Sequence, residues 1–427
     1  MRRRGLPPGP SAPRIVQALR LSRDPLRTLV EARERYGDVF TLRLSRIGTA
    51  VVVAAPDALD LLLHGDPQIA RAGVARRRLL PILPPASALG SDGAAHRAAR
   101  RRLLAVLAQS HLQPSSGGMA AVAREHAARW PLGRPFGLLA RARALALDVF
   151  VREVLAVREP RRAAALNRAV LQMMWSPLVA PGVWLHDPHG GPVARGGWWL
   201  FATLRRRLDG LLREELQHRR ARPDSARSDV LATLLEADTA EDVVVDELVG
   251  LLIAAVEPGG VGLTWMLERL THHPAVVAAI LAERGGEDAL TRAAILETLH
   301  TRPPIVDAAR ELSVPVEVGG YELAAGTRVI VAIPLVHDVV ATAGKQPFCP
   351  QRWLTGDAPR PSLPFGGGER TCLGAALTIV QARAVVPEVL ARLLLAPAGA
   401  PERVALRGTA LVPHRGARVV AAPRAGC

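Results

Sequence analysis

Phe365-Gly366-Gly367-Gly368-Glu369-Arg370-Thr371-Cys372-Leu373-Gly374 is the segment best equipped for chemistry. A glycine-rich turn lets the backbone approach a flat ligand and adopt dihedrals that side chains forbid. Cys372 stands at the start of the helix that follows. The positive end of that helix dipole favours a thiolate there, and backbone N–H groups can bond to the sulfur. Arg370, two residues earlier, suits an anionic group on the same ligand. A phosphate-binding loop would lead into the helix with Gly-Lys-Ser or Gly-Lys-Thr, which is missing. A dinucleotide fingerprint would follow a strand in an alternating strand–helix unit, and the neighbourhood has none. A buried structural cysteine accounts for Cys372 alone, but not for the glycines and the arginine beside it.

The elements that must position this segment are mostly helical. Asp24 to about Tyr36 reads as a helix after a proline-rich start. Asp38 to Leu44 alternates like a half-buried strand, and Thr49 to Ala54 reads as its partner, ended by Pro56. From about 57 to 300, Ala, Leu, Arg and Glu recur at helical spacing. Gly319-Gly320 opens a strand-turn-strand segment whose clearest strand is Val329 to Ala332. A helix from about Gly374 to Leu394 follows the cysteine, and short strands close the chain. No composition shift marks a linker and no repeat is visible. The expectation is a mainly α fold with a minor β region, formed as one body over residues 1–427. Its β-rich parts lie at about 36–56 and 314–334, its helical body at 57–300, and its glycine–cysteine loop and helix at 364–394.

Composition narrows the class. With 427 residues, 49% hydrophobic and 22% charged, the chain can bury a large core. Cys349, Cys372 and Cys427 cannot build a disulfide framework, and none pair at metal or redox spacing. Apolar runs such as Leu248 to Val256 are too short to span a bilayer, and Leu6-Pro7-Pro8-Gly9-Pro10 interrupts any signal-like start. The expected setting is soluble and cytoplasmic. The net charge is +16, carried almost wholly by arginine, since Lys345 is the single lysine. Such charge raises nucleic-acid binding, yet the basic clusters are scattered along helical patterns without any nucleic-acid motif. They read as solvated helix faces, with a docking face for an acidic protein as the functional alternative. Trp175, Trp184, Trp198 and Trp199 crowd a loop-rich stretch, and either line an apolar pocket or pack a helical corner.

The glycine–cysteine segment resembles the haem-thiolate signature of the cytochrome P450 superfamily, F-x-x-G-x-R-x-C-x-G, with every specified position filled. The similarity extends over essentially the whole chain. Leu6 to Pro10 resembles the family's N-terminal hinge, and Tyr36 to Phe40 its first strand. His96-Arg97-Ala98-Ala99-Arg100 resembles the H-x-x-x-R helix that holds the haem propionates. Phe348-Cys349-Pro350-Gln351-Arg352 resembles its F-x-P-x-R loop. The resemblance implies haem b between a long central helix and the cysteine-loop helix, with Cys372 as the axial ligand of iron. It implies His96, Arg100, Arg310 and Arg370 as propionate partners, and Phe365, Gly366, Gly368 and Gly374 as the shape of the loop. For His96 alone, a surface histidine would be the default. It further implies a ferredoxin-type electron donor with its reductase, a hydrophobic small-molecule substrate, a monomer, no membrane anchor and no nucleic acid. Pocket walls in the family come from variable segments, here about 70–92 and 170–200.

Two positions depart from the family pattern. The central-helix motif [AG]-G-x-[DE]-[TS] appears as Ala254-Ala255-Val256-Glu257-Pro258: the acid is kept, the hydroxyl is lost. In the family that hydroxyl helps deliver a proton to dioxygen, so its loss should leak reducing equivalents as peroxide. Proline also removes a helical N–H, so the helix should be kinked or opened at Pro258. Secondly, E-x-x-R appears as Glu297-Thr298-Leu299-His300. Arg352 should then pair with Glu297 directly, leaving His300 as a hydrogen-bond donor and a half-paired carboxylate that weakens the site. Three functions stay open. One is a monooxygenase inserting one oxygen atom from dioxygen, with natural-product tailoring as a setting. A second is a peroxide-using or atypical enzyme of coupling, desaturation or rearrangement. The third is a haem-binding protein with little turnover.

Overall fold

Two runs of β-branched and apolar residues, Val39–Leu44 and Gly48–Val53, pair as an antiparallel hairpin in register Val39↔Val53 to Leu44↔Gly48. The first strand is buried on both faces except at Arg43, rather than half-buried as its alternation suggested. Helices Arg14–Arg23 and Pro25–Tyr36 pack on this sheet region, burying Leu21, Leu29 and Ala32. The proline-rich start lies along the same strand, where Thr41 N–H donates to Pro8 O at 2.9 Å and Thr41 Oγ1 to Pro7 O at 2.6 Å. The structure is a computed structural model. It describes residues 3–44, 48–79, 82–174, 192–222, 229–236, 239–283, 286, 288–339 and 348–424.

The hairpin extends into a five-stranded sheet in the order Val39–Leu44, Gly48–Val53, Arg328–Ala332, Asp307–Leu312, Ala70–Arg71. Asp307–Leu312 lies outside the β-rich ranges expected from sequence, and it is the strand that carries Arg310. Gly319-Gly320 forms the turn between strands Val316–Val318 and Tyr321–Leu323, both glycines at positive φ. Helices account for 58% of the protein, so the mainly α class holds.

The central helix runs Glu241–Thr271 and crosses helix Leu138–Val149 closely. Gly260 permits that approach, since a Cβ there would lie 2.6 Å from Arg143 Cγ and 2.7 Å from its Cα. Contrary to the expected opening, the helix is continuous through Pro258. Proline costs one backbone donor, whereas burial on both sides of the position, at Val256, Gly260 and Val261, holds the neighbouring turns in place. Among the described residues this is the one helix long and apolar enough to cross a membrane, and 72% of its apolar window is buried inside the protein. It is a core helix.

Two large hydrophobic clusters result, beside a small one of Leu139, Val261, Trp265, Ala410 and Val412. One joins the helical body through residues such as Leu103, Leu145, Met266 and Val385, the other joins the sheet through Phe40, Val51, Leu312 and Val331. The cysteine segment lies at their seam: Phe365, Leu373 and Ala376 pack on the helical cluster, Leu363 on the sheet cluster. Trp198 meets Phe201 edge-on at 5.7 Å, while Trp199 is 67% exposed, so these two share no common lining. Trp175, Trp184 and Cys427 lie outside the described residues, as does 175–191 of the expected pocket wall.

Candidate active site

The loop before the cysteine is tied by its own backbone. Gly366 N–H donates to Leu363 O at 3.1 Å, Thr371 N–H to Gly368 O at 3.0 Å, and Cys372 N–H to Phe365 O at 2.9 Å. Gly366 and Gly368 take φ of +71° and +66°, a region that favours glycine. A Cβ at Gly368 would also lie 1.8 Å from Leu63 O, so the close backbone approach is to helix Pro56–His64. Gly368→Ala is therefore expected to cost more than about 2 kcal/mol of stability, from clash and strained φ together; thermal denaturation against wild type checks it.

Cys372 precedes helix Ala375–Arg392, whose cap is Gly374. The residue as a whole is exposed, yet protein surrounds its sulfur enough that burial pushes the thiol pKa up. The Gly374 N–H and the Arg100 charge oppose that shift without cancelling it. The expected stabilisation of a thiolate by the helix end is thus outweighed by desolvation in the protein alone.

The basic residues named from sequence converge beside this loop. Arg370 Nη1 lies 2.9 Å from His96 Nδ1 and its Nη2 donates to Ser91 O at 2.7 Å. Arg100 Nη1 donates to Thr371 O at 2.6 Å, next to the cysteine. Arg310, 4% exposed, donates from Nε to Leu62 O at 3.0 Å, and burial followed by the charges of Arg76 and Arg370 lowers its pKa to about 10. Burial and then Arg370 lower the His96 pKa as well. Sequence reasoning missed Asp92, which accepts from Arg370 Nη2 at 2.5 Å and from the Gly73 and Val74 N–H groups at 2.8 Å. Its place just before the helix starting at Gly93, a position where acids cap helices, was the available signal.

On the central helix Ala254 is exposed and Ala255 and Pro258 are part-exposed, although Leu251, Leu252, Ile253, Val256, Gly260 and Val261 are buried. Positions 254, 255 and 258 share one helix face, and that face presents small apolar groups that are not covered by protein. Glu257 is ion-paired with Arg143 of helix Leu138–Val149, whose own side chain is almost wholly buried. Arg143 was not anticipated; its sign in the sequence is an arginine at apolar-face spacing between Leu139 and Leu147. Glu247, 2% exposed, accepts the Ala88 N–H at 2.8 Å, and burial pushes its pKa up to about 7. The Ala88 carbonyl in turn lies 2.8 Å from His96 Nδ1, so one residue joins the central helix to the basic cluster.

Glu297 is fully buried, and its carboxylate is saturated. Arg352 donates from Nε and Nη2 at 2.7 Å each, Trp353 Nε1 at 2.8 Å and Cys349 N–H at 3.1 Å. The direct Arg352 pairing matches expectation. The expected half-paired carboxylate does not, because the indole and the Cys349 amide fill the remaining sites. Arg302 does not substitute for the missing arginine; it lies over the Trp265 ring at 5.7 Å.

These residues fit a haem. Its carboxylates require buried donors, and Arg370 Nε is buried without a hydrogen-bond partner among the described residues, as is the neighbouring His96 Nε2, which donates when the ring is protonated. Its iron requires an approachable cysteine, and Cys372 is exposed; its faces require uncovered apolar surface, and Ala254 and Ala255 provide some. A family model described as Cytochrome P450 matches residues 6–419. The Mycobacterium tuberculosis (strain ATCC 25618 / H37Rv) protein named "Putative cytochrome P450 135B1" is 36% identical over 438 residues, covering 97% of this chain and 91% of that protein. "Putative cytochrome P450 135A1" of the same strain is 32% identical over 433 residues, covering 98% and 96%. The chain belongs to the cytochrome P450 family, whose members are haem-thiolate oxidoreductases acting in general as monooxygenases. The fold agrees. The cytochrome P450DA heme domain superposes with TM-score 0.80 at 19% identity, covering 99% of this chain and 98% of that one. Retinoic acid bound cyanobacterial CYP120A1 gives TM-score 0.80 at 18% identity, covering 98% and 99%.

Proposed function

We propose that the protein inserts one oxygen atom from dioxygen into a hydrophobic small molecule, with natural-product tailoring as its setting. The observation that carries this reading is the meeting, at one seam, of the exposed Cys372 and the unpartnered buried nitrogens of His96 and Arg370. Bound haem b supplies oxygen activation and one-electron chemistry, with a thiolate ligand favouring O–O cleavage. Cys372 is the iron ligand in this reading, and the Gly374 N–H favours its thiolate form. His96, Arg100, Arg310 and Arg370 hold the two propionates in charge-assisted hydrogen bonds, and Arg100 also braces the Thr371 carbonyl. Phe365, Gly366 and Gly368 set the loop. Ala254 and Ala255 leave room for an apolar substrate.

Electrons come from a ferredoxin-type donor and its reductase, reaching the Cys372 side through a basic surface. The protein acts as a cytoplasmic monomer of one domain over 1–427. The family match over 6–419 supports the single domain, and the burial of the one span-length helix among the described residues supports the soluble setting.

A second reading has its own support. Pro258 has no hydroxyl, and Glu257 is engaged by Arg143, so protons reach the distal side less readily than in the family pattern. A peroxide-using enzyme needs no such delivery. Pro258→Thr separates the two: with a surrogate ferredoxin system, product formed per reducing equivalent should rise several-fold, about 1 kcal/mol in partition. If coupling is unchanged and added peroxide alone gives full turnover, the peroxide reading replaces the first. No product under either oxidant would leave a haem-binding protein with little turnover.

A further inference from the structure

Helix Ala289–Thr301 presents His300 where the family pattern has arginine, and the ring does not reach Glu297. Glu297 already takes four hydrogen bonds from Arg352, Trp353 and Cys349. Instead, the His300 ring stacks on His337, with centroids 4.6 Å apart and planes 25° from parallel. His337 is fixed at both nitrogens. Its Nδ1 lies 3.0 Å from His300 O and its Nε2 2.7 Å from the Leu363 amide nitrogen. A carbonyl can only accept and an N–H can only donate, so Nδ1 carries the proton and Nε2 accepts. His300 Nδ1 lies 3.2 Å from Ser362 Oγ. Both rings thus end on consecutive residues of the segment leading to the cysteine. From there the ties are short: Leu363 O accepts Gly366 N–H at 3.1 Å, and Phe365 O accepts Cys372 N–H at 2.9 Å.

We infer that His337 and His300 are positioning residues, a stacked pair that anchors Ser362 and Leu363 to the end of helix Ala289–Thr301 and thereby sets the Cys372 loop. The pair does the work that the motif arginine would do, by a different geometry. The inference rests on Cys372 being the haem ligand. It has one consequence opposite to what motif repair suggests: His300→Arg should harm the site. An arginine there removes the stacked ring and finds every acceptor of Glu297 occupied.

The experiment compares holoprotein of wild type, His300→Arg, His337→Phe and His337→Gln. The first readout is the ratio of thiolate to non-thiolate Soret bands in the reduced carbonmonoxy form. His337→Phe keeps an aromatic ring but loses two hydrogen bonds, and should lower that ratio roughly tenfold. His337→Gln, which can donate and accept, should restore part of it, and His300→Arg should lower it. A higher ratio in His300→Arg, or an unchanged one in His337→Phe, overturns the inference. The second readout is amide exchange of the peptide covering 354–372, which does not depend on the ligand assignment. Exchange should accelerate about tenfold in His337→Phe and be confined to that peptide; acceleration spread over the whole chain, or none, overturns the tether. Local acceleration in a protein whose wild type lacks a thiolate band would instead retain the tether and reject the ligand assignment. If His337→Phe fails to fold, His337→Gln and His300→Arg carry the same comparison.

Discussion

Arg352→Leu is expected to lower the unfolding free energy by about 3–5 kcal/mol, because it strands a buried carboxylate. Glu297 is 0% exposed at its side chain and receives two of its four hydrogen bonds from Arg352. Trp353 Nε1 and the Cys349 N–H remain, but they cannot neutralise the charge. The double variant Glu297→Leu/Arg352→Leu should be milder than the single one, since it removes both buried charges and leaves only the neutral Trp353 Nε1 and Cys349 N–H donors unpaired, at about 1 kcal/mol each. Urea unfolding of the holoprotein reads both. A loss below about 1 kcal/mol in Arg352→Leu would contradict the network described for Glu297.

Acid should destabilise the protein well above the range where carboxylates titrate. Burial, then the charges of His337 and Arg352, pushes His300 down to about 3; burial pushes His337 down to about 4. Both rings are nearly inaccessible, at 2% and 3% exposure. In the unfolded chain they titrate near 6.5, so as pH falls below that value the unfolded chain takes up protons that the folded protein refuses. Their stability contribution is complete above pH 6.5 and is lost as pH falls towards 4. Each ring adds about 1.4 kcal/mol per pH unit in that window, so the pair gives a slope near 2.7. Stability measured by urea at pH 7, 6 and 5 should show this slope, and His337→Gln should remove about half of it. A flat profile down to pH 5 would mean that the two rings are not held neutral by burial.

What was legible in the sequence was local. The glycine–cysteine segment, the His96/Arg100 pair one helical turn apart and the Val39–Leu44 hairpin each declare themselves within a dozen residues. The strand carrying Arg310 did not, because Asp307–Leu312 is defined by pairing with Arg328–Ala332 and Ala70–Arg71, not by its own pattern. Glu257 could be named but not its partner, since Arg143 lies 114 residues earlier in the chain. Pro258 breaks helices by local rules, and here tertiary packing across Gly260 overrides them. The carboxylate of Glu297 looked half-paired because an indole and a backbone amide carry no charge signature in a sequence. His337 was invisible for the same reason: its two hydrogen bonds go to backbone groups 37 and 26 residues away.

The central claim is that Cys372 holds a haem iron through its sulfur. The most direct test is the absorption spectrum of the purified protein, reduced and exposed to carbon monoxide, beside that of Cys372→Ala. The wild type should show the long-wavelength Soret band of a thiolate-ligated haem, and the variant should lose it. A wild type without that band, or a variant that keeps it, would contradict the account.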